Sequence, residues 1–239
     1  MWDAGPYARY LRHANWIDVP VLGAICDAVP GASPTIVALL HSVAWLLMIA
    51  AMMLPTAFLL FDNFRRMTIA RENRHALMAL LIVGYATMWA LFGLVAHGFD
   101  AALHRLADQS PTLLANAWLI GAAIVAVAGV YQFSSLKHRC LDRCRSPLMF
   151  ITGHWRGRSA RRESFLLGMN HGAFCIGCCW ALMLLMFAVG TGSVGWMLAL
   201  GAIMAAEKNL RWGAYIGKPL GVALIAWSAW IVAQHAYVA

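Results

Sequence analysis

Apolar residues in this chain occur in six long runs that are separated by short polar segments. The runs cover approximately residues 34–61, 75–97, 112–136, 164–189, 194–206 and 219–233. A helix needs about 20 mostly apolar residues to cross the hydrocarbon core of a bilayer. The pattern therefore predicts an all-α fold, a polytopic membrane helical bundle of about six transmembrane helices, in which the fifth span is the shortest.

Composition agrees with this pattern. Hydrophobic residues make up 62% of the 239 residues and charged residues only 12%, whereas soluble domains carry about 25% charged residues. We expect residues 1–32 to form an N-terminal interfacial segment, because its aromatic and basic residues are typical of the membrane surface. This segment does not have the basic stretch followed by an uninterrupted apolar stretch that is typical of a cleavable signal peptide. The first span is therefore expected to direct insertion into the membrane. Residues 33–239 are expected to form a single transmembrane helical-bundle domain.

The distribution of positive charge predicts an orientation. The net charge is +8, and 15 of the 18 Lys and Arg residues lie in the segments 62–75, 137–162 and 207–218. Basic loops stay in the cytoplasm and contact anionic lipid headgroups. We therefore expect these three loops to be cytoplasmic, both termini to be outside, and segment 145–162 to be an interfacial or re-entrant piece. The lipid bilayer accounts for the charge, and no nucleic-acid partner is expected.

The most informative chemistry lies in the fourth apolar run. His171, Cys175, Cys178 and Cys179 are three or four residues apart, so they share one face of a helix. Imidazole and thiolate together favour a soft transition metal, with copper as Cu(I) preferred and zinc or an iron–sulfur centre as alternatives. The competing interpretation is packing, since cysteine is often buried as a small apolar residue.

One helix cannot supply every ligand of such a site, so a second helix is required. The first run contains Met48 and Met52 before Pro55, and a proline can kink a helix and open space beside an ion. Both motifs fall near the middle of their spans. We therefore predict that Met48 and Met52 complete the site.

A second cysteine pair, Cys140 and Cys144, lies in a basic stretch, where positive charge favours the thiolate form. We predict a cytoplasmic relay that exchanges metal with the deeper cysteines. Cys175 is 12 residues beyond Glu163, about 18 Å along a helix. That distance favours two metal sites at different depths, unless segment 145–162 folds back. Glu207 and Lys208, next to each other near the cytoplasmic interface, are expected to neutralise each other.

Several motifs together resemble an uncharacterised bacterial family of predicted metal-binding integral membrane proteins. They are A-M-M-x-P (51–55), Y-Q (131–132), K-x-x-C-L-x-x-C-R-x-P (137–147), H-G-x-x-C-x-G-C-C-W (171–180) and E-K (207–208). The resemblance covers most of residues 40–225. It implies a helical membrane bundle with a metal site, located in the bacterial inner (cytoplasmic) membrane, and it implies no particular reaction.

These observations predict metal transport, or metal delivery to a membrane or periplasmic metalloenzyme. A soluble metal chaperone or a membrane metalloenzyme complex is the expected partner. Two alternatives stay open: a membrane thiol–disulfide redox protein, and a non-enzymatic subunit or assembly factor of a larger membrane complex. No catalytic motif supports an enzyme, so whether the protein is one stays uncertain.

Overall fold

The computed structural model describes residues 34–110, 117–189 and 194–236, and within these ranges the chain is helical, without β-strands. The predicted interfacial segment 1–32 lies outside the described residues. Five of the six apolar runs coincide with a helix, and the described part of the third run is divided between two helices. In chain order the helices are α1 (Pro34–Met67), α2 (Arg74–Gln109), α3 (Ala117–Tyr131), α4 (Ser135–Arg145), α5 (Pro147–His154), α6 (Ala160–Val189), α7 (Val194–Asn209) and α8 (Gly217–Ala236).

Four helical segments are long and apolar enough to cross a membrane. They are Trp45–Met67, Arg74–Ala96, Ala160–Met186 and Gly213–His235. A fifth is added if α3 and α4 together make one broken span. Helix α7 has 16 residues and falls short of the roughly 20 that a span requires. The all-helical fold is thus confirmed, while the number of six spans is not.

Helices α2 and α6 pack so closely that their backbones touch at glycine. A β-carbon added to Gly84 would lie 2.2 Å from the carbonyl oxygen of Phe165, and one added to Gly168 would lie 2.1 Å from that of Leu81. Small residues allow this approach between apolar helices. The contact fixes α6, which carries three of the cysteines, against α2.

The third apolar run does not form one straight helix. Helix α3 ends at Tyr131, α4 begins at Ser135, and their axes differ by 63°. The side chain of Ser134 accepts a hydrogen bond from the backbone N–H of Leu136 and caps the new helix. The predicted continuous span 112–136 is therefore wrong at its end, and α4 packs against α6.

Segment 145–162 contains a short helix that packs on the bundle. Pro147 begins α5, where a missing N–H costs nothing. Phe150 and Ile151 are buried with residues of α1, α2 and α6, whereas Met149 is exposed. Helix α5 thereby covers one end of the bundle, next to the end of α4.

Candidate functional site

The cysteines of α4 and α6 lie together in one buried cluster. Cys140, Cys144, Cys175, Cys178 and Cys179 are all buried as free thiols in the larger hydrophobic core. The Sγ atom of Cys140 lies 2.6 Å from where a β-carbon on Gly177 of α6 would be, and Cys144 is buried in the same cluster as Cys175 and Cys178. The two cysteine motifs therefore do not lie at the different depths that we expected, because the bend before α4 brings the second pair back onto α6. The number of metal sites stays a prediction.

Gly177 makes room for this arrangement. A β-carbon at Gly177 would lie 2.6 Å from the Sγ atom of Cys140, so a larger residue would push α4 away. The hydroxyl of Tyr131, at the end of α3, donates a hydrogen bond to the carbonyl oxygen of Gly177. The glycine inside the C-x-G-C-C motif is thus where α3 and α4 contact the cysteine-bearing turn of α6.

Cys175 is the centre of the cluster. Its Sγ atom lies 2.9 Å from the Nζ atom of Lys208 on α7 and 3.1 Å from the hydroxyl oxygen of Tyr85 on α2. Cysteine, lysine and tyrosine are all buried. A lysine ammonium can only donate, so the sulfur is the acceptor, and contact with a positive charge favours its thiolate form.

Lys208 has a partner for each of its three ammonium protons. Besides Cys175, its Nζ atom lies 3.2 Å from the Oγ1 atom of Thr56 and 4.0 Å from the Sδ atom of Met53, both on α1. The hydroxyl of Thr56 in turn donates to the carbonyl oxygen of Met53 at 2.8 Å. A lysine is positively charged only while its amino group carries all three protons. Three acceptors around the Nζ atom match this charged, three-donor form.

The other two thiols of α6 point back along their own helix. Cys178 and Cys179 donate to the carbonyl oxygen of Cys175, at 3.0 Å and 2.8 Å. Both are protonated donors in these contacts. Cys144, on a different helix, is buried in the same cluster.

His171 lies one turn before Cys175, as its spacing predicts. Its ring is buried between the rings of Tyr85 and Phe150, with centroid distances of 6.1 Å and 5.4 Å. Its Nδ1 atom is buried and has no hydrogen-bond partner among the described residues. Leaving a buried polar atom unpaired costs about 1–3 kcal/mol, a cost that a ligand bound at this nitrogen would remove.

The methionines of α1 differ from the prediction in one respect. Met52 is buried and faces Gly201 of α7, with its Cε atom 3.8 Å from where a β-carbon on that glycine would lie. Met48 packs against the same core from a half-buried position. The thioether that approaches the Lys208 ammonium belongs to Met53. Neighbouring helical residues point about 100° apart, so the position of the methionines before Pro55 could not select among them.

A second buried polar network lies beside the thiols. Lys137 of α4 pairs with Glu207 of α7, with Nζ–Oε distances of 2.7 Å and 2.9 Å, and also contacts the side-chain oxygen of Gln132. Arg145 donates to the carbonyl oxygens of Glu207 and Arg211, at the end of α7. The expected neutralisation of Glu207 by Lys208 is therefore wrong: each residue pairs with a different helix.

Sequence reasoning missed Lys137, Lys208, Tyr85 and Thr56 as members of these networks. A signal was present for the lysines, because both belong to the motifs that carry the family resemblance. Within the described part of the chain, no group of three or more His, Cys, Asp or Glu residues is arranged to hold a metal ion. The metal role of His171, Cys175, Cys178, Cys179, Met48, Met52, Cys140 and Cys144 stays a prediction.

The fold and the thiol cluster define a class: a helical protein with several helices able to cross a membrane and cysteines gathered in its core. The model of the PpoB2 family, described as a copper chaperone, matches residues 42–231. The chain belongs to this family, and every predicted ligand lies inside the matched region. No curated protein and no solved structure matches the chain.

Proposed function

We propose that this protein is a membrane copper chaperone that binds Cu(I) on the thiols of α4 and α6 and delivers it to a membrane or periplasmic metalloenzyme. The observation that carries the proposal is that cysteines of two different helices, Cys144 of α4 and Cys175 of α6, lie in one buried cluster, in a chain of the copper-chaperone family. Soft thiolate ligands select Cu(I) over harder ions. Burial keeps the bound ion away from water and oxidants.

The ligands are assigned from the geometry of the cluster. Cys144 and Cys175 come from different helices and lie in the same buried cluster, so together they supply two thiolates to one ion. Cys178, in the same cluster, can replace its hydrogen bond to the Cys175 carbonyl by a metal bond. Cys140, Cys179, His171 and the methionines of α1 surround this centre and supply places for the ion during entry and exit.

The membrane setting is part of the proposal. The apolar exposed faces of the long helices, with residues such as Val95, Phe58 and Trp230, are suited to contact with lipid. We place the basic segments on the cytoplasmic side of a bacterial inner membrane, following their charge. The partners are then the lipid bilayer, a soluble copper donor and an acceptor metalloenzyme.

The same geometry favours a second function, thiol–disulfide exchange. Free thiols that share one buried cluster, as those of Cys144 and Cys175 do, can form a disulfide, with two electrons and two protons passing to an acceptor. A metal site and a redox pair make opposite predictions for metal-free protein. The first stays reduced and gains an ion; the second cycles without one.

Elemental analysis of the purified protein tests the proposal. Full-length protein in detergent is loaded anaerobically with Cu(I), washed with a weak chelator and analysed. We expect about one tightly held copper ion per chain, lost when Cys175→Ser and Cys178→Ser are combined. Cys26→Ser, which removes the cysteine that belongs to neither of the two cysteine motifs of the sequence, is the matched control and is expected to retain the ion. Full retention in the double variant, or a reversible disulfide with no copper bound, would contradict the proposal.

A further inference from the structure

The presence of Lys208 in the thiol cluster is not explained by the sequence spacing of the predicted metal ligands. It places an ammonium group inside the thiol cluster, 2.9 Å from the Sγ atom of Cys175. Burying a charge is costly unless it is paired. A lysine at this position therefore needs a negative partner, and the sulfur atoms are the groups next to it that can carry negative charge.

The ammonium is held from three sides, and its position is fixed. Cys175 belongs to α6, while Thr56 and Met53 belong to α1, and Lys208 itself lies in the last turn of α7. Glu207, the carboxylate next to it in sequence, is bound to Lys137 instead. Among the contacts of Lys208 that the structure describes, the sulfur of Cys175 is therefore the one that can carry a negative charge.

The net charge of the occupied site differs between Cu(I) and Zn(II). Cu(I) on two thiolates has a net charge of −1, and a neighbouring ammonium makes the whole site neutral. Zn(II) on the same two thiolates is already neutral, so the ammonium leaves a net charge of +1 in the core. A low-dielectric interior penalises the uncompensated charge strongly.

Resting on the proposed function, we propose that Lys208 is the specificity-determining residue of the site, whose fixed positive charge selects a monovalent ion on two thiolates and rejects divalent ions. Lys208 does not bind the metal. It acts through Cys175, whose thiolate it contacts, and so sets the charge that an incoming ion must bring. The chemical class of the ligand is thus a soft monovalent cation, Cu(I) or its analogue Ag(I).

Competition titrations on the purified full chain test this inference. Cu(I) affinity is measured against a chromophoric Cu(I) chelator under anaerobic conditions, and Zn(II) affinity against a zinc dye. Lys208→Met is expected to lower Cu(I) affinity at least about tenfold and to leave Zn(II) affinity unchanged or raised. Lys218→Met removes the same charge from an exposed position and is expected to change neither affinity.

Two further variants separate charge from packing. Lys208→Arg keeps the charge and is expected to keep the preference for Cu(I), whereas Lys208→Gln is expected to lose it as Lys208→Met does. In a Cys175→Ser background, Lys208→Met is expected to have no further effect on the ratio of the two affinities. Thermal melts of each variant establish that it is folded, and Lys208→Gln serves if Lys208→Met is not.

The outcomes distinguish this inference from the proposed function. If the wild type binds Cu(I) and the uncharged variants keep the wild-type ratio of Cu(I) to Zn(II) affinity, the role of Lys208 is overturned and the copper site stands. If the wild type itself binds no Cu(I), both are overturned. A ratio that falls in Lys208→Met and Lys208→Gln but not in Lys208→Arg supports the inference.

Discussion

Two buried lysines, Lys137 and Lys208, show how the same residue serves different purposes in one core. Lys137 is 1% exposed and forms an ion pair with Glu207, which is 2% exposed. Lys208 is 6% exposed, and its partners are a thiol, a hydroxyl and a thioether. The first lysine finds a complete counter-charge within the protein. Lys208 contacts one group that can carry a negative charge, the thiol of Cys175, and it does so only as a thiolate.

This difference separates a structural network from a functional one. The Lys137 network joins the end of α3, helix α4 and the end of α7, and Arg145 strengthens it by binding backbone carbonyls of Glu207 and Arg211. It holds α4, with Cys140 and Cys144, folded back against α6. The Lys208 contacts join α7 to the thiols themselves. In the proposed copper site, one lysine holds the thiols of α4 in place and the other sets the charge of the ligands.

Breaking the structural pair is expected to have the largest effect. Glu207→Ala leaves the Lys137 ammonium buried without a counter-charge, which costs about 3–5 kcal/mol of the free energy of unfolding. Denaturant unfolding of the protein in detergent measures it. Replacing both partners, Lys137→Met with Glu207→Met, is expected to recover most of the loss because no charge is then left unpaired. Equal losses in the single and the double variant would contradict the assignment.

Copper is expected to separate the two networks at an intermediate magnitude. A ligand present at 100 times its dissociation constant stabilises the folded state by about 2.7 kcal/mol. We expect a Cu(I)-dependent rise in Tm for the wild type and for the Lys137→Met/Glu207→Met protein. Cys175→Ser is expected to show no rise. If copper stabilises Cys175→Ser as much as the wild type, the thiol cluster is not the binding site.

The smallest effect is expected for Lys208→Met in the absence of copper. The substitution nearly conserves volume, and the thiol of Cys175 can take up a proton and become neutral, so the cost is expected to stay below about 1.5 kcal/mol. The same denaturant measurement on metal-free protein tests this. A loss as large as that of Glu207→Ala would show that both lysines are structural, and the contrast between them would disappear.

The helices could be predicted from the sequence because a helix that is buried in lipid or in a helical core needs a long apolar run, and such a run is visible in the sequence. Five of the six runs coincide with single helices of the described chain, and the cysteines of 171–180 share a buried helix as their spacing predicts. The joining of the two cysteine motifs could not be predicted. It depends on the bend of 63° between α3 and α4, which no periodicity in 112–145 indicates.

The pairing of charged residues was also predicted wrongly, and the reason is geometric. Glu207 and Lys208 are adjacent in sequence, but consecutive helical residues do not face each other. Glu207 consequently meets α4, and Lys208 meets α1 and α6. Lys137 lies in a basic stretch typical of a solvated loop, and only the tertiary contact with Glu207 explains its burial.

The central claim is that the thiols of α4 and α6 form one copper site, and Cys144→Ser tests it most directly. The measurement is the amount of Cu(I) that the purified full chain retains against a competing chelator, for the wild type, Cys144→Ser and Cys175→Ser. One shared site predicts that either substitution removes the tightly bound ion. Retention of a full equivalent of copper by Cys144→Ser, with loss only in Cys175→Ser, would contradict it and restore two separate sites.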